Sequence, residues 1–389
     1  MKKKNEEKSC RLSRVGGAAV IEGVMMKAGD RASTACRREN GEIVVVDKKF
    51  TSARKKHKLL NIPILRGVVN FIESLALSFS TLEVSAEIMG EEIEVEESRF
   101  EKWLTKTFGK SIYDLVMFIA GALGILLAVA LFTFLPNQIA LWTEALISRP
   151  LGIWKAVLCG VLRIVIFILY IVLISLMKDI RRTFEYHGAE HKSIACFEAG
   201  EELTVENVRR HSRFHPRCGT SFMFVMLFLS ILVSLGIRAI CELWIGWNFA
   251  AITVAATGRD LSALIYTGIG ILTLPLVVGI GFEFLMYAGK HDGPIIRFLS
   301  APGLWMQRLT TREPNDEQIA VAIVSIKCAM PEEFPDFDRA VYLIRDEYTN
   351  PPEKKKKKKR QASPTPAPDA ASENDAAPSK SADAEDKEA

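Results

Sequence analysis

Two short clusters of nitrogen, sulfur and carboxylate donors stand at either end of one polar stretch, His187-Gly188-Ala189-Glu190-His191 and His211-Ser212-Arg213-Phe214-His215-Pro216-Arg217-Cys218. If the first cluster is helical, His187 and His191 lie four residues apart on one face, and Glu190, three residues from His187, shares that face. His-x-x-Glu-His is the order found in inverzincin metallopeptidases, where two histidines bind zinc and the glutamate activates water. Gly188 weakens such a helix by about 1 kcal/mol relative to alanine. The second cluster repeats the four-residue spacing at His211 and His215 and adds Cys218 three residues on. Pro216 disfavours helix at His215, so a turn is expected there. It presents His215 and Cys218 from a knuckle at the start of the next helix, whose positive end favours a thiolate.

Ligand arithmetic separates two uses of these residues. Four protein donors close a structural site, whereas three donors and a water make a catalytic one. The candidate ligands of a divalent metal, zinc first, are His187, His191, His211, His215 and Cys218, with Glu190 as the base. The leading expectation is a metal-dependent membrane enzyme, hydrolytic in chemistry, with its site at the cytoplasmic face. The alternative is a non-catalytic scaffold or assembly factor with a structural metal knuckle. Transport is the weakest class, because the apolar segments hold few polar residues, although Pro275 and the glycines near it could break the last one. His291 reads as an interfacial hydrogen-bonding residue, and Glu22 and Glu283 as weaker functional candidates.

The elements that must position these donors are membrane helices. Four stretches, Ile112 to Leu135, Ile153 to Met177, Ser221 to Cys241 and Ala263 to Ala288, are long and apolar enough to cross a hydrocarbon core, which takes about 20 helical residues. The hydrophobic fraction of 49% is therefore no evidence of a large soluble core. Met1 to Lys8 is polar with no apolar run behind it, so a cleaved signal is not expected. Lys and Arg set the orientation. The loop from Pro136 to Gly152 holds only Arg149, whereas the loop from Lys178 to Thr220 holds eight basic residues, and others flank the first and last spans. Both termini and both histidine clusters then face the cytoplasm of a multi-pass cell-membrane protein. The seven cysteines form no Cys-x-x-Cys pair and are expected to be reduced.

Along the chain, residues 1–13 are expected to be disordered and 14–58 to form a cytoplasmic β unit, with Asn40-Gly41 as a hairpin turn between Ser33 to Arg38 and Glu42 to Lys48. Residues 59–100 read as an amphipathic helix and linker. The apolar stripe Leu65, Val68, Val69, Ile72, Leu75, Ala76, Phe79, Leu82 recurs at helical spacing, and internal Arg66 and Glu73 argue against spanning. Residues 101–312 form the membrane domain, with the His-rich loop at 178–220. Thr204 marks a helix cap within that loop, and 313–348 reads as helical. The whole is mainly α, a polytopic helical membrane protein of about four transmembrane helices with a small β-hairpin unit. The tail at 349–389 cannot bury enough surface to offset its ordering entropy. Its run from Lys354 to Arg360 would attract anionic lipid or a protein partner, and without interleaved aromatic residues specific nucleic-acid readout is not expected.

Several blocks together resemble a known family. Gly16-Gly17-Ala18-Ala19-Val20-Ile21-Glu22-Gly23-Val24-Met25-Met26, Pro63-Ile64-Leu65-Arg66-Gly67, His187-Gly188-Ala189-Glu190-His191-Lys192, His215-Pro216-Arg217-Cys218-Gly219-Thr220-Ser221-Phe222 and the stretch from Gly303 to Pro314 are similar to the YqhQ-like bacterial membrane proteins. The resemblance covers about residues 10 to 330. It implies a domain of unknown function described as a predicted metal-dependent enzyme without an established reaction.

Overall fold

Apolar residues in the first fifty positions fall on both faces of their strands, and the fold covers both. The computed structural model describes residues 14–90, 112–149, 151–243, 262–288 and 293–350. The readings of residues 1–13, the acidic linker after Gly90, His291 and the tail with Lys354 to Arg360 lie outside the described residues. Strands β1 (Val15–Val20), β2 (Gly23–Ala28), β3 (Arg31–Arg37) and β4 (Ile43–Lys49) form an antiparallel meander. The Asn40-Gly41 turn links the last two, with Gly41 at a φ of 89°, a conformation glycine adopts without steric cost.

Besides single turns at Ala53–Lys56, Lys58–Asn61 and Arg339–Val341, the described helices are α1 (Leu65–Gly90), α2 (Ile112–Val129), α3 (Leu135–Ile147), α4 (Ile153–Ile174), α5 (Lys178–Ala199), α6 (Val205–Arg210), α7 (Gly219–Leu243), α8 (Ser262–Ala288), α9 (Pro294–Thr310) and α10 (Asp316–Ala329). One face of the sheet, carrying Val24, Met26, Ala35 and Val45, packs with Tyr186 and Ala189 of α5 and Ile319, Ala322 and Ile326 of α10. The other face, with Val20, Cys36, Val44 and Val46, packs on Val84 and Ile88 of α1. A sheet covered on both sides explains the unbroken Val44-Val45-Val46 run, because neither side of the pleat needs polar residues.

The segment 313–348, expected as helical throughout, is α10 followed by a fifth strand, β5 (Leu343–Asp346), which pairs parallel to β4. Its register is fixed by Val45 N donating to Tyr342 O at 2.7 Å and Glu347 N donating to Asp47 O at 2.7 Å. The fully buried Asp47 carboxylate ties the corner together, accepting from Ser33 Oγ at 2.6 Å, Arg31 Nη1 at 2.7 Å and Arg339. A buried charge is tolerable only with partners of this kind.

Helix α1 has two stripes. Leu65, Ile72, Leu75, Phe79 and Leu82 of the apolar stripe seen in the sequence point outward, and a second row, Leu77, Thr81, Val84, Ser85 and Ile88, is the one buried. Thr81 and Ser85 satisfy their hydroxyls on carbonyls of their own helix. At its start α1 touches α8 closely: a Cβ at Gly279 would stand 2.7 Å from Ile64 O. Arg66 Nε donates to Glu283 Oε1 at 2.6 Å.

Five described helices are long and apolar enough to cross a membrane: Leu65–Gly90, Ile119–Ile147, Trp154–Ile174, Gly219–Ile237 and Ile271–Ala288. The sequence expectation was four, with the first set aside for Arg66 and Glu73. Both charges prove to be partnered, Arg66 by Glu283 and Glu73 by Ser52 Oγ and Ala53 N. The stretch 136–152, expected as a loop, is instead helical through Ile147. Pro136 has no N–H to give Phe132, four residues back. The chain answers with a π-helical turn at Ala130–Phe134, and Arg163 Nε from α4 donates to Phe132 O at 3.0 Å.

Candidate metal centre

Helix α5 runs unbroken through the first histidine cluster, so His187 and His191 do share one face. Gly188 lies where a Cβ would stand 1.9 Å from Arg312 O, and it lets the chain leaving α9 pass against the helix. Two backbone carbonyls, one from the end of α9 and one from the loop before α7, reach the histidine rings. His187 Nδ1 is 2.8 Å from Thr310 O, and His191 Nδ1 is 2.5 Å from Arg213 O. A carbonyl oxygen only accepts, so each ring donates from Nδ1, which leaves Nε2 as its outward atom. The rings meet edge on with centroids 4.4 Å apart. Cys218 Sγ lies 3.2 Å from His187 Nε2, and one donor atom each from His187, His191 and Cys218 fall within 4.8 Å of one another.

Cys218 caps α7, whose Phe222 N donates to Cys218 O at 3.2 Å. The knuckle before it is clamped by Gln307 of α9. Gln307 Oε1 accepts from His215 N at 2.8 Å, and its Nε2 donates to His215 O and Ser221 Oγ, each at 2.7 Å. Burial pushes the Cys218 thiol up, but His187 and His191 outweigh it and hold the sulfur well below its ordinary value. Burial would lower His187, yet the Cys218 sulfur and Glu190 lift it to about 9. A cysteine sulfur facing two histidine rings held by outer hydrogen bonds is a donor set that suits a zinc-class ion.

The remaining sequence candidates separate. His215 stands beside His191, ring centroids 5.7 Å apart, but its Nε2 turns to Glu198 Oε2 at 3.4 Å and its Nδ1 faces Arg217 N at 3.4 Å. Burial lowers its pKa. His211 is elsewhere, paired with Glu201 at 3.2 Å. Glu190 is buried at the centre, where burial raises its carboxyl pKa against the lowering pull of His187 and His191. Its Oε2 has no hydrogen-bond partner. A Cβ at Gly17 of β1 would meet Glu190 Cγ and Oε1 at 2.8 Å, so that glycine makes room for the carboxylate. Glu22, at the β1–β2 turn with a φ of 50°, accepts from Arg182 and from Tyr186 Oη and belongs to the docking of α5 on the sheet.

Gln307 and Thr310 fall in the Gly303 to Pro314 block, which pointed to a family but to no donor role, and the Arg213 carbonyl carries no side-chain signal. The one available signal was Gln307 itself, a polar residue on the buried row Gly303, Met306, Gln307, Thr310 of an amphipathic helix. Buried Lys192 plays a related part, donating to Arg209 O at 2.8 Å and pairing with Glu313.

Comparison with known proteins places the chain without naming a reaction. The "Uncharacterized protein YqhQ" of Bacillus subtilis (strain 168) is 36% identical over 315 residues, covering 80% of this chain and 90% of the relative. No solved structure matches. The model of a family described as "Protein of unknown function (DUF1385)" matches residues 62–332, from the start of α1 past the end of α10 and with the whole donor cluster inside, and the chain belongs to that family.

Proposed function

We propose that His187, His191 and Cys218 hold a divalent ion of the zinc class and that Glu190 handles protons beside it in a hydrolytic reaction at the cytoplasmic membrane face. One observation carries this reading: both histidines donate from Nδ1 to a main-chain carbonyl, His187 Nε2 stands 3.2 Å from Cys218 Sγ, and one donor atom from each of His187, His191 and Cys218 lies within 4.8 Å of the others. Such outer hydrogen bonds fix the tautomer and aim of metal-binding imidazoles. A bound ion would supply Lewis acidity and an acidified water. Three protein donors leave a position for that water, and His215, engaged with Glu198, is not a fourth, which favours the catalytic reading over a closed structural knuckle. The unpartnered Glu190 Oε2 is the atom with free accepting capacity.

The same reading has four membrane crossings and both termini inside. Although α1 is long and apolar, Ser80 accepts from Lys48 at 2.6 Å and Glu87 from Arg345 at 2.6 Å, so its second half lies on the polar sheet unit. A second chemistry is favoured by one contact: Cys218 at the start of α7, 3.2 Å from His187 Nε2, would act as a nucleophile with that histidine as its base. A hydrolysis screen of ester, amide and phosphoester substrates on the full chain in liposomes separates the two. The metal reading expects turnover lost to o-phenanthroline, restored by zinc, and reduced at least 100-fold in Glu190→Gln, in the range of a lost general base. Turnover that survives the chelator but not iodoacetamide would assign the work to Cys218 instead.

A further inference from the structure

The residue that leaves the first centre finds other company. Helix α5 ends at Gly200, with φ 76°, and the chain folds back so that Gly200 N bonds Phe197 O at 3.0 Å and Glu201 N bonds Cys196 O at 3.2 Å. That reversal sets Glu201 over Cys196. Thr204 then caps α6, accepting from Asn207 N at 3.2 Å. The far end of α6 is held to α5 by Lys192 Nζ on Arg209 O at 2.8 Å. The residue closing α6 is His211, whose N bonds Val208 O at 3.1 Å. Its Nε2 stands 3.2 Å from Glu201 Oε2, and one donor atom each from Cys196, Glu201 and His211 lie within 4.8 Å of one another.

We propose that Cys196, Glu201 and His211 form a second cation site, distinct from the His187/His191/Cys218 centre, which takes a borderline divalent ion and braces the end of α5 to the end of α6. A histidine–carboxylate pair at a surface needs nothing beneath it. Here a fully buried sulfur lies under the pair, while Glu201 is half exposed and His211 partly so, leaving a solvent side for water ligands. Thiol, imidazole and carboxylate in one group select zinc or cobalt over magnesium or calcium, whose ligands are oxygens. Bonds of about 2.0–2.3 Å put tetrahedral ligand atoms about 3–4 Å apart, so small side-chain adjustments and release of the thiol proton that Cys196 Sγ now donates to Glu202 O at 3.6 Å separate these donors from ligation. All three are fixed by helix caps and by the Lys192 link.

The test titrates Co²⁺ into chelator-stripped, detergent-purified full-length protein, reading bound cobalt and thiolate-to-cobalt absorption. Four chains are compared: wild type, His187→Ala/His191→Ala, Cys196→Ser/His211→Ala, and Glu201→Gln, whose exposed position leaves the fold intact. The proposal expects the Cys196/His211 double variant to bind one ion fewer than wild type. It expects the His187/His191 double variant to keep one ion with thiolate absorption, and Glu201→Gln to weaken one site roughly tenfold. If the first centre alone does not bind, wild type takes a single ion that vanishes with the Cys196/His211 variant and persists without His187 and His191, which still supports this site. Unchanged stoichiometry in the Cys196/His211 variant, or a Glu201→Gln isotherm superimposable on wild type, overturns it.

Discussion

Replacing Gly188 by alanine sets two effects against each other. In an isolated helix alanine gains about 1 kcal/mol over glycine. In this helix the new Cβ would stand 1.9 Å from Arg312 O, and overpacking of a tight contact costs about 1–3 kcal/mol, occasionally more. The second effect wins, because the obstacle is main chain, tied down by Arg312 N donating to Phe184 O at 2.8 Å. Gly188→Ala should lower the thermal midpoint in detergent, and a midpoint equal to or above wild type would show that the two segments do not touch. The donors themselves were legible, since helical spacing puts His187, Glu190 and His191 together and Pro216 marks the knuckle of His215 and Cys218. Selection among them was not. Which nitrogen each ring turns outward is decided by the carbonyls of Thr310 and Arg213 and by Glu198, far away in the chain or silent in sequence.

At the scale of elements, the passage from α2 to α3 rests on one long-range repair. Pro136 orphans the Phe132 carbonyl, and Arg163 covers it from α4. Arg163→Met should therefore destabilise the protein by about 1–3 kcal/mol, the cost of an unsatisfied buried polar group. Adding Pro136→Ala, which restores an N–H to the helix, should recover most of that loss. Thermal midpoints of the four chains in the double-mutant cycle decide the matter, and strictly additive effects would mean that Arg163 acts on something else. The same region shows why 136–152 reads as a loop: proline is a breaker signal, and its remedy lies 27 residues away. Strand β5 escaped for a similar reason, since four residues with no alternation acquire their meaning only beside β4, roughly 300 positions earlier. The Asn40-Gly41 turn and the Thr204 cap were legible because their chemistry is complete within a few residues.

At the scale of the whole molecule, the sheet unit, the end of α9 and the start of α7 all close on α5, so the cluster sits where the polar unit meets the apolar helices. In the proposed topology that junction lies inside the cell, the side on which Lys and Arg accumulate. Arg149→Cys should gain labelling by an impermeant maleimide added to intact cells, whereas Glu202→Cys should gain it only after permeabilisation, and the reverse pattern would invert the topology.

The most direct measurement is the zinc content of the full-length protein purified without chelator, by elemental analysis, for wild type, His187→Ala, His191→Ala, Cys218→Ser and His215→Ala. Three converging donors predict that the first three substitutions each remove one ion per chain while helicity by circular dichroism is kept, and that His215→Ala retains it. Wild-type protein without stoichiometric metal, or loss in His215→Ala as complete as in His191→Ala, would contradict the centre.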